Sequence, residues 1–453
     1  MNIMIKHLQY IVISLILLVS CDYLDVKPAG KVIPDEVFEF RALLTTAYGT
    51  FPQYKRLLTI RSDEVFPSPY GLTYESNFDL ATWNDENPDP VTPIYPWESM
   101  YKILFYCNTI IEDINEAKVD DPEESPQQLL AEAYCLRAYV HFELLNLYSV
   151  PYNATTAKTD RGIPMALKVD IGQEFVPASV EDVYTQIFKD LQEAEKFMQV
   201  KEQPENLRYR FSIKSLKSLE ARVRLYHSEW DGALKAAEEI LPECQLEDIL
   251  TSEVKPWTNK SKESILALEQ FSHIDIISDM DILPNVSEKF NMEQTEDKYK
   301  DARSEKYIKS SYSGIIAMKG NGKDEKCTFR SAEIYLIAAE AAARQGNNIE
   351  TAKKYLLELL KYRLLPEYYD ERKTAIRDMN QEQLIGEIMD ERIRELITEG
   401  HRWYDLRRTT RPEIIKNYMD AEFNEHSVKL EKDDPKYTIP LPKEAIQNNP
   451  NLK

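Results

Sequence analysis

The sequence predicts an all-α fold built from packed helix pairs that are joined by long irregular loops. Three observations support this prediction. Apolar residues recur at helical spacing in several long stretches, proline-bearing segments separate those stretches, and two stretches have the small-residue pattern of tetratricopeptide-like helix pairs. With 453 residues, the chain is long enough for one large domain or two ordinary ones with a substantial core.

The overall charge of the chain argues against two classes of partner. The formal net charge is −21 and the sequence pI is about 4.9. A strongly acidic protein repels the phosphates of nucleic acids and the headgroups of anionic lipids. We therefore expect no nucleic-acid partner and no electrostatic docking on an anionic membrane surface.

The N-terminal segment predicts export and lipidation. An apolar run at 11–19 follows two basic residues; it has the length of a signal-peptide core and is too short to span a bilayer as a helix. The run ends in Leu-Val-Ser-Cys, which looks like a bacterial lipobox. Residues 1–20 then form a lipoprotein signal peptide, Cys21 becomes the acylated first residue, and 21–34 form a polar tether to a helical domain at 35–453. Ordinary secretion with a chance cysteine is the alternative.

Regular helices are predicted in the first half of this domain. A first helix lies near 35–46, helical periodicity resumes at Trp97, and the stretch 125–148 carries one continuous apolar face. Ser179 is the predicted N-cap of a further helix that ends at Met198. Its hydroxyl can accept a first-turn amide, and the acidic residues that follow it favour the positive end of the helix dipole.

Two later segments have the pattern of tetratricopeptide-type helix pairs. The first is 213–241 and the second is 330–360, with Gly346 as the turn between its helices. Alanines recur on the predicted contact faces, and small residues allow helix axes to approach closely. Residues 243–329 lie between the two pairs and are predicted to form an irregular insertion in the array.

Aromatic residues gather in two irregular regions. The region 59–96 loses the helical period and contains six of the prolines, and the insertion at 243–329 is the second region. Long loops in compact proteins are often functional, so these regions are the predicted place of a ligand site. Their rings include Tyr70, Tyr74, Trp83 and Tyr95 in the first region, and Trp257, Phe271, Tyr299, Tyr307 and Tyr312 in the second.

The stretch 390–408, which we call the C-terminal signature, has the densest charge pattern. Glu391, Glu395 and Glu399 are each four residues apart, so they stack along one side of a predicted helix. Gly400 is the predicted left-handed C′ residue of that helix. Flanking cations should hold the carboxylates ionised and paired, which makes this a poor acid/base site and favours a structural helix pair. These cations are Arg392, Arg394, Arg402, Arg407 and Arg408.

The C-terminal signature resembles that of the SusD/RagB family, which comprises surface lipoproteins of outer-membrane nutrient-uptake systems. Similar matches occur in the segment after the lipobox, in the helix that begins at Trp97, in 132–151 and in the terminal segment 438–452. The resemblance therefore runs from Cys21 to Leu452 and is thinnest in the two irregular regions. The matching signature residues are Glu391, Arg392, Glu395, Leu396, Glu399, Gly400, Arg402, Asp405, Leu406 and Arg408.

The resemblance implies a SusD-like helical fold and a function without catalysis. Such a protein is lipid-anchored in the outer membrane, faces the cell exterior and binds a nutrient ligand. It delivers that ligand to a SusC-like TonB-dependent barrel, which it covers as a lid. Both glycan and peptide ligands occur in the family, and we favour an oligo- or polysaccharide. The resemblance also implies that the C-terminal signature is a structural latch and contacts no ligand.

Candidate ligand contacts follow from the chemistry of sugars. A sugar ring has an apolar C–H face and a rim of hydroxyls, so a binder needs flat aromatic surface beside hydrogen-bonding groups. Tyr70, Tyr74 and Trp83 lie in the first irregular region near Asn77, and they are the predicted contacts. Trp257, in the insertion, is a further candidate for ligand contact. For each ring, packing of the loop onto the core is the structural alternative.

No sequence motif predicts catalysis, a cofactor or a metal. The metalloprotease, P-loop, dinucleotide-binding and nucleophile-elbow motifs are absent from the sequence. His273, Asp275, Asp279 and Asp281 could ligate a cation, and the oxygen-rich loop at 84–89 lacks the glycine and glutamate of an EF-hand. We expect neither to be a metal site. A surface glycosidase and a helical scaffold without a small ligand remain open alternatives. The remaining cysteines are predicted to be buried free thiols; they are Cys107, Cys135, Cys244 and Cys327.

Overall fold

A computed structural model describes residues 34–452, except for 121, 171, 174, 272, 312, 313, 321 and 423. The predicted signal peptide, Cys21 and nearly all of the predicted tether lie outside the described residues, as does Tyr312.

Helices make up most of the described chain, which confirms the predicted fold class. Short 3-10 turns follow or connect several of them. The α-helices are α1 (Val37–Thr50), α2 (Lys55–Arg61), α3 (Tyr74–Ala81), α4 (Glu98–Asp113), α5 (Pro126–Tyr148), α6 (Val180–Phe197), α7 (Ile213–Tyr226), α8 (Trp230–Ile240), α9 (Ile274–Ser278), α10 (Pro284–Ser287), α11 (Arg303–Lys306), α12 (Ser331–Gln345), α13 (Ile349–Leu360), α14 (Pro366–Arg377), α15 (Gln381–Leu396), α16 (Arg402–Arg408) and α17 (Lys443–Asn448).

Short antiparallel ribbons of two strands each lie between the helices. Only the last ribbon, β9–β10, has strands of six residues, and it forms a hairpin. The pairs are β1 (Val65–Pro67) with β5 (Met280–Ile282), β2 (Arg161–Pro164) with β3 (Pro177–Ser179), β4 (Ser264–Leu266) with β8 (Phe329–Arg330), β6 (Ile308–Ser310) with β7 (Ile315–Ala317), and β9 (Ile414–Met419) with β10 (Glu425–Leu430).

The two predicted helix pairs are present and pack against each other. Helix α7 packs on α8, α12 packs on α13, and α8 also contacts α12 across the insertion. Buried alanines such as Ala237 and Ala338 line these contacts, where small side chains allow close approach. Gly346 ends α12 with a φ of 79°, the left-handed conformation that glycine adopts without a Cβ penalty.

The predicted helices of the first half are also confirmed, with sharp N-terminal boundaries. The Ser125 hydroxyl accepts a hydrogen bond from the Gln128 amide at 3.3 Å and begins α5, which is buried along nearly its whole length. The Ser179 hydroxyl accepts from the Asp182 amide at 3.1 Å and begins α6. Each cap satisfies a first-turn amide that has no partner within the helix. Helix α5 packs on α6 and α4, and α4 packs on α1.

The region 59–96 is more regular than the sequence predicts. It contains the end of α2, strand β1 and the two-turn helix α3. Helix α3 buries only Asn77, Leu80 and Ala81, so its apolar pattern is too short to show a helical period. Tyr74 and Asn77 therefore lie on a helix and not in a loop.

A buried ion cluster surrounds the C-terminal signature. Arg330 Nη1 donates to Glu395 Oε1 at 2.6 Å, and Arg363 Nε donates to Glu395 Oε2 at 2.9 Å. Arg303 bridges Glu395 and the neighbouring Glu391. Burial alone would raise the pKa of Glu395, but Arg363, Arg330 and Arg303 outweigh it and hold that pKa well below its ordinary value.

Glu399 extends the same cluster by one helical turn. Arg330 Nε donates to Glu399 Oε2 at 2.9 Å, and Lys319 Nζ donates to Glu399 Oε1 at 2.7 Å. All of these side chains are at most 1 % exposed. We use the name buried ion cluster for Glu391, Glu395 and Glu399 together with Arg303, Lys319, Arg330 and Arg363.

The partners of these carboxylates differ from the predicted ones. Among the flanking arginines, Arg394 contacts Glu391 at 2.8 Å. The others point elsewhere: Arg392 and Arg408 hold Asp405, Arg402 holds Asp63, and Arg407 donates to backbone carbonyls. The sequence shows which charges are near along one helix, but not which charges the rest of the chain brings opposite it.

Gly400 is left-handed as predicted, at a φ of 78°, but it is not the C′ residue of the helix. Helix α15 ends at Leu396, and Gly400 lies four residues later in the turn to α16. A Cβ at this position would lie 2.8 Å from the Lys55 Cβ and 2.9 Å from the Lys55 carbonyl oxygen. Glycine is therefore required here by close packing as well as by conformation.

Removing the central carboxylate of the cluster should strongly destabilise the protein. In Glu395→Ala, three buried guanidinium groups lose this counter-charge, and we expect the free energy of unfolding to fall by about 3–5 kcal/mol. Denaturant unfolding followed by circular dichroism measures the change. Lys118→Ala is the matched control, because the Lys118–Asp35 pair is 72 % and 61 % exposed and should be nearly neutral. Equal midpoints for both variants would contradict a stabilising role of the cluster.

Candidate ligand-binding site

Trp83, one of the predicted contact rings, lies in the core. It is 1 % exposed, and its indole Nε1 donates to the Arg61 carbonyl at 2.9 Å. Nζ of Lys416, a residue of strand β9, lies 4.7 Å from the centroid of the Trp83 ring. This position corrects the expectation of an exposed ring, because neither face of the indole is open to a ligand in this structure. The loop is packed onto the core, which is the structural alternative stated for each ring.

Trp257 and Asn77 are also buried. The Trp257 ring is 2 % exposed and stands edge-on to Tyr307 at 4.9 Å, with Lys319 of the buried ion cluster 5.0 Å from its centroid. The Asn77 amide accepts from Arg56 at 3.4 Å and donates to Asp275 at 3.5 Å, so it ties α3 to α9. The expectation of surface positions for these two residues is thus corrected as well.

Tyr70 and Tyr74 are accessible, as predicted. Tyr70 is 65 % exposed, and its hydroxyl donates to the Ala421 carbonyl at 3.4 Å in the β9–β10 turn. Tyr74 is half-buried, and its ring lies 5.3 Å from that of Phe78 on the same helix. The structure therefore brings two of the five predicted contacts to one part of the surface.

Further rings complete an aromatic group around Tyr74. Tyr418, on β9, stacks on Phe66 of β1 at 4.5 Å with an interplanar angle of 16°, and it meets Phe78 edge-on at 5.6 Å. His426, on β10, stacks on the outer side of Tyr418 at 5.3 Å. We call Phe66, Tyr70, Tyr74, Phe78, Tyr418 and His426 the ring cluster. Tyr418 and His426 were not predicted, and the order Ile-Ile-Lys-Asn-Tyr-Met at 414–419 does not alternate apolar with polar residues, so it gives no clear strand signal.

Carboxylates and amide groups lie beside the ring cluster. Asp281 is opposite Phe66 in the β1–β5 ribbon, and burial raises the pKa of its carboxyl group. Asp279 accepts from the Thr73 amide and hydroxyl at 3.1 and 3.0 Å. Asp420 accepts from Asn424 and pairs with His426 at 2.8 Å. Polar groups of this kind can meet the hydroxyl rim of a sugar whose face lies on the rings.

The metal alternative gains no support from this arrangement. Asp275 pairs with Arg56 at 2.8 Å and with His273 at 3.3 Å, while Asp279 is held by Thr73. Two of the three carboxylates of the predicted group, Asp275 and Asp279, therefore have protein partners. Over the described parts of 34–452, His, Cys, Asp and Glu side chains form no group of three or more that could hold a metal ion.

A second concave feature lies beside helix α4. It is a groove of about 820 Å³ between α4, the loop at 164–175 and the C-terminal segment. Three of its rings belong to α4 or its N-cap: Trp97, Tyr101 and Phe105. We call this feature the α4 groove, and it is lined by Ile94, Tyr95, Pro96, Trp97, Glu98, Ser99, Tyr101, Lys102, Phe105, Asn108, Pro164, Ala166, Lys168, Asp170, Phe175, Pro442, Glu444, Ala445, Asn448, Asn449 and Leu452.

Two family models match the chain and together span most of it. One, described as SusD-like, starch-binding and associating with the outer membrane, matches residues 22–225; the other, described as the SusD family, matches 287–453. The chain belongs to the SusD/RagB family. Carbohydrate binding and association with the outer membrane are typical of this family, whose members are generally not catalytic.

Individual SusD-like proteins are distant in sequence but similar in fold. SusD-like protein P38 from Formosa agariphila is 24% identical over 90% of this chain and 92% of its own length. A SusD superfamily protein from Bacteroides fragilis superposes with a TM-score of 0.71, at 20% identity, over 92% of this chain and 99% of its own. A laminarin-binding SusD-like protein superposes with a TM-score of 0.60, at 19% identity, over 83% and 92%. In the part of this SusD/RagB chain that is described, every helix is too short or too polar to cross a membrane.

Trp83→Ala should act on stability and not selectively on binding. The variant removes a fully buried ring and the hydrogen bond to the Arg61 carbonyl, so we expect the free energy of unfolding to fall by about 3–5 kcal/mol. Thermal and denaturant unfolding measure the change. Trp230→Ala, at a partly exposed tryptophan of α8, is the control and should cost less. An unchanged melting temperature for Trp83→Ala would contradict the core position.

Proposed function

We propose that this SusD/RagB protein is a surface lipoprotein that binds an uncharged glycan at the ring cluster and delivers it to a TonB-dependent barrel. The observation that carries the proposal is the accessible aromatic surface formed by exposed Tyr70, which is tied to the β9–β10 turn, and by half-buried Tyr74, whose ring packs on Phe78. The family and the laminarin-binding neighbour support a glycan over a peptide. An uncharged ligand is favoured because a chain of net charge −21 repels polyanions.

Rings on a rigid base suit a ligand that has an apolar face, such as a sugar. Phe66 is fixed by the β1–β5 ribbon, and Tyr418 by the β9–β10 hairpin. The hairpin is itself anchored by Lys416, a buried residue of β9 whose Nζ donates to the Ile60 carbonyl at 3.0 Å. Few side-chain rotations are then lost on binding, so more of the stacking energy contributes to affinity.

The polar groups of the site favour hydroxyl ligands over carboxylates or phosphates. Asp279, Asp281 and Asp420 all carry acidic groups near the rings, and a carboxylate accepts hydrogen bonds from hydroxyls. Arg56, which contacts Asn77 of α3, is already paired with Asp275 at 2.8 Å. An anionic sugar would meet net repulsion at this place.

Anchoring and delivery complete the proposal. Cys21 is the residue that would carry the acyl chains, and these chains would hold the protein at the outer face of the outer membrane. The SusC-like barrel is the partner that family membership suggests, with this protein as its lid. A specific contact of this kind buries more than about 1,000 Å².

Replacing the accessible tyrosines should weaken glycan binding without unfolding the protein. Tyr70→Ala and Tyr74→Ala each remove one aromatic face, and we expect each to cost about 0.5–1.5 kcal/mol, or two- to tenfold in affinity. Calorimetry with laminarin, xylan, mannan and amylopectin measures affinity, and alginate tests the exclusion of a polyanion.

Phe38→Ala is the matched control for these variants, because Phe38 is 60 % exposed on α1 and lies outside the ring cluster. It should bind like the wild type. If the wild type binds none of the glycans but binds peptides, the glycan proposal fails. If glycan binding persists unchanged in both tyrosine variants, the site lies elsewhere.

Lipidation and partnership can be tested together in membranes. Cys21→Ala should move the protein from the membrane fraction to the soluble fraction in a strain that lacks the barrel, because the acyl chains are the proposed anchor. Tagged wild-type protein, solubilised from native membranes, should co-purify with a TonB-dependent barrel. Retention of Cys21→Ala in the membranes of the barrel-free strain would contradict the anchor, and absence of any such barrel from the pull-down would contradict delivery.

A further inference from the structure

The α4 groove has features of a ligand site, although it shares no residue with the ring cluster. Its volume of about 820 Å³ lies within the range of about 300–1,000 Å³ that is usual for small-ligand sites. Aromatic side chains form much of its wall, and Phe105 is 41 % exposed there. We infer that the α4 groove is a second glycan-binding site that takes an uncharged sugar chain across Trp97 and Phe105. This inference rests on the proposed function.

The rings of the groove are held in fixed orientations. The Tyr101 hydroxyl donates to the Pro164 carbonyl at 2.9 Å, and the Tyr148 hydroxyl donates to the Pro96 carbonyl at 3.0 Å. Trp97 packs between them, 4.8 Å from Tyr101 and 5.2 Å from Tyr148. Because these hydroxyls are used within the protein, the groove presents ring faces and not phenol groups, and it does so without reorganisation on binding.

The walls of the groove are also tied together. The buried Asn108 side chain donates to the Ala166 carbonyl at 3.0 Å and accepts from Arg137 at 2.9 Å, which fixes the loop at 164–175 against α4. The Asn449 side chain donates to the Phe175 carbonyl at 2.6 Å, which fixes the same loop against the C-terminal segment. The recess is therefore built into the fold from three separate segments.

The charges of the rim select an uncharged occupant. Two lysines, Lys102 and Lys168, and three acidic residues, Glu98, Asp170 and Glu444, line the groove, and all five are exposed. Such a rim offers hydrogen bonds to hydroxyls but no net attraction for an anionic ligand. A flat protein surface would leave the recess unfilled, whereas a sugar chain can enter it and lay its C–H faces on the rings.

Two separate sites on one chain predict a preference for long glycans. A polysaccharide that occupies both sites gains from effective concentration, while a short oligosaccharide occupies them one at a time. The groove variants should therefore weaken polysaccharide binding more than oligosaccharide binding at the ring cluster.

The test uses the full-length mature chain and variants of the exposed edge of the groove. Phe105→Ala should lower affinity for the neutral polysaccharides laminarin, xylan, mannan or amylopectin by about two- to tenfold, with an unchanged melting temperature. Tyr106→Ala is the matched control, because Tyr106 is the next residue on α4 and is absent from the groove lining. Calorimetry with oligosaccharides of the same glycan should show two sites in the wild type, and Phe105→Ala should weaken one of them.

Tryptophan fluorescence provides a readout that is local to the groove. Trp83, Trp257 and Trp403 are buried, whereas Trp97 and Trp230 are partly exposed. Glycan addition should change the emission of the wild type and of Trp230→Phe, and the change should be much smaller in Trp97→Phe. This measurement does not depend on whether Phe105→Ala folds normally.

The possible outcomes separate this inference from the proposed function. If glycan binds but Phe105→Ala and Trp97→Phe leave affinity, stoichiometry and emission change intact, the groove site is overturned while the proposed function stands. If Phe105→Ala loses the barrel in pull-downs and keeps glycan binding, the groove is a protein contact and the inference is overturned. If the wild type binds none of the four glycans, both fall. If the groove variants lose glycan binding while Tyr70→Ala and Tyr74→Ala keep it, the groove site is supported and the ring cluster is excluded as a binding site.

Discussion

The buried ion cluster is the interaction on which the arrangement of this SusD/RagB protein depends. Carboxylates of Glu391, Glu395 and Glu399 lie on one side of α15, and their cations come from the insertion, from the start of α12 and from the end of α13. A buried charge without a partner is very unfavourable, so these segments are stable inside the protein only when all of them meet. The cluster thereby joins the second helix pair, the irregular insertion and the C-terminal helices in one arrangement.

The same constraint extends from the ion cluster to the ring cluster. Immediately after α15, the Thr398 amide donates to Glu64 at 3.0 Å, and Arg402 of α16 pairs with Asp63 at 2.7 Å. These two acids precede β1, which carries Phe66. Burial raises the pKa of Glu64 to about 8, so that group is mostly neutral at pH 7, whereas the arginines keep Glu395 ionised. The hydrogen bond from Thr398 to Glu64 and the ion pair between Arg402 and Asp63 thus hold strand β1 beneath the rings.

The two proposed ligand-binding surfaces are each formed by segments that are distant along the chain. The ring cluster combines β1, α3 and the β9–β10 hairpin, which are separated by more than three hundred residues of chain between Phe66 and Tyr418. The α4 groove likewise needs the C-terminal segment, since Asn449 fixes the loop that carries Phe175. In both places aromatic rings remain accessible, and the hydroxyls of Tyr70 and Tyr101 donate to backbone carbonyls.

The sequence by itself determined the helical class, the cap at Ser179, the turn at Gly346 and the family to which the C-terminal signature belongs. These features depend on residues close together along the chain, so local periodicity and motif spacing are enough to predict them. Only the tertiary structure decided that Trp83 is buried while Tyr70, thirteen residues earlier in the same proline-rich region, is exposed. It also decided that remote arginines, and not the flanking ones, pair with Glu395 and Glu399. Burial and ion pairing depend on what distant segments place opposite a side chain, which is information that a local pattern does not contain.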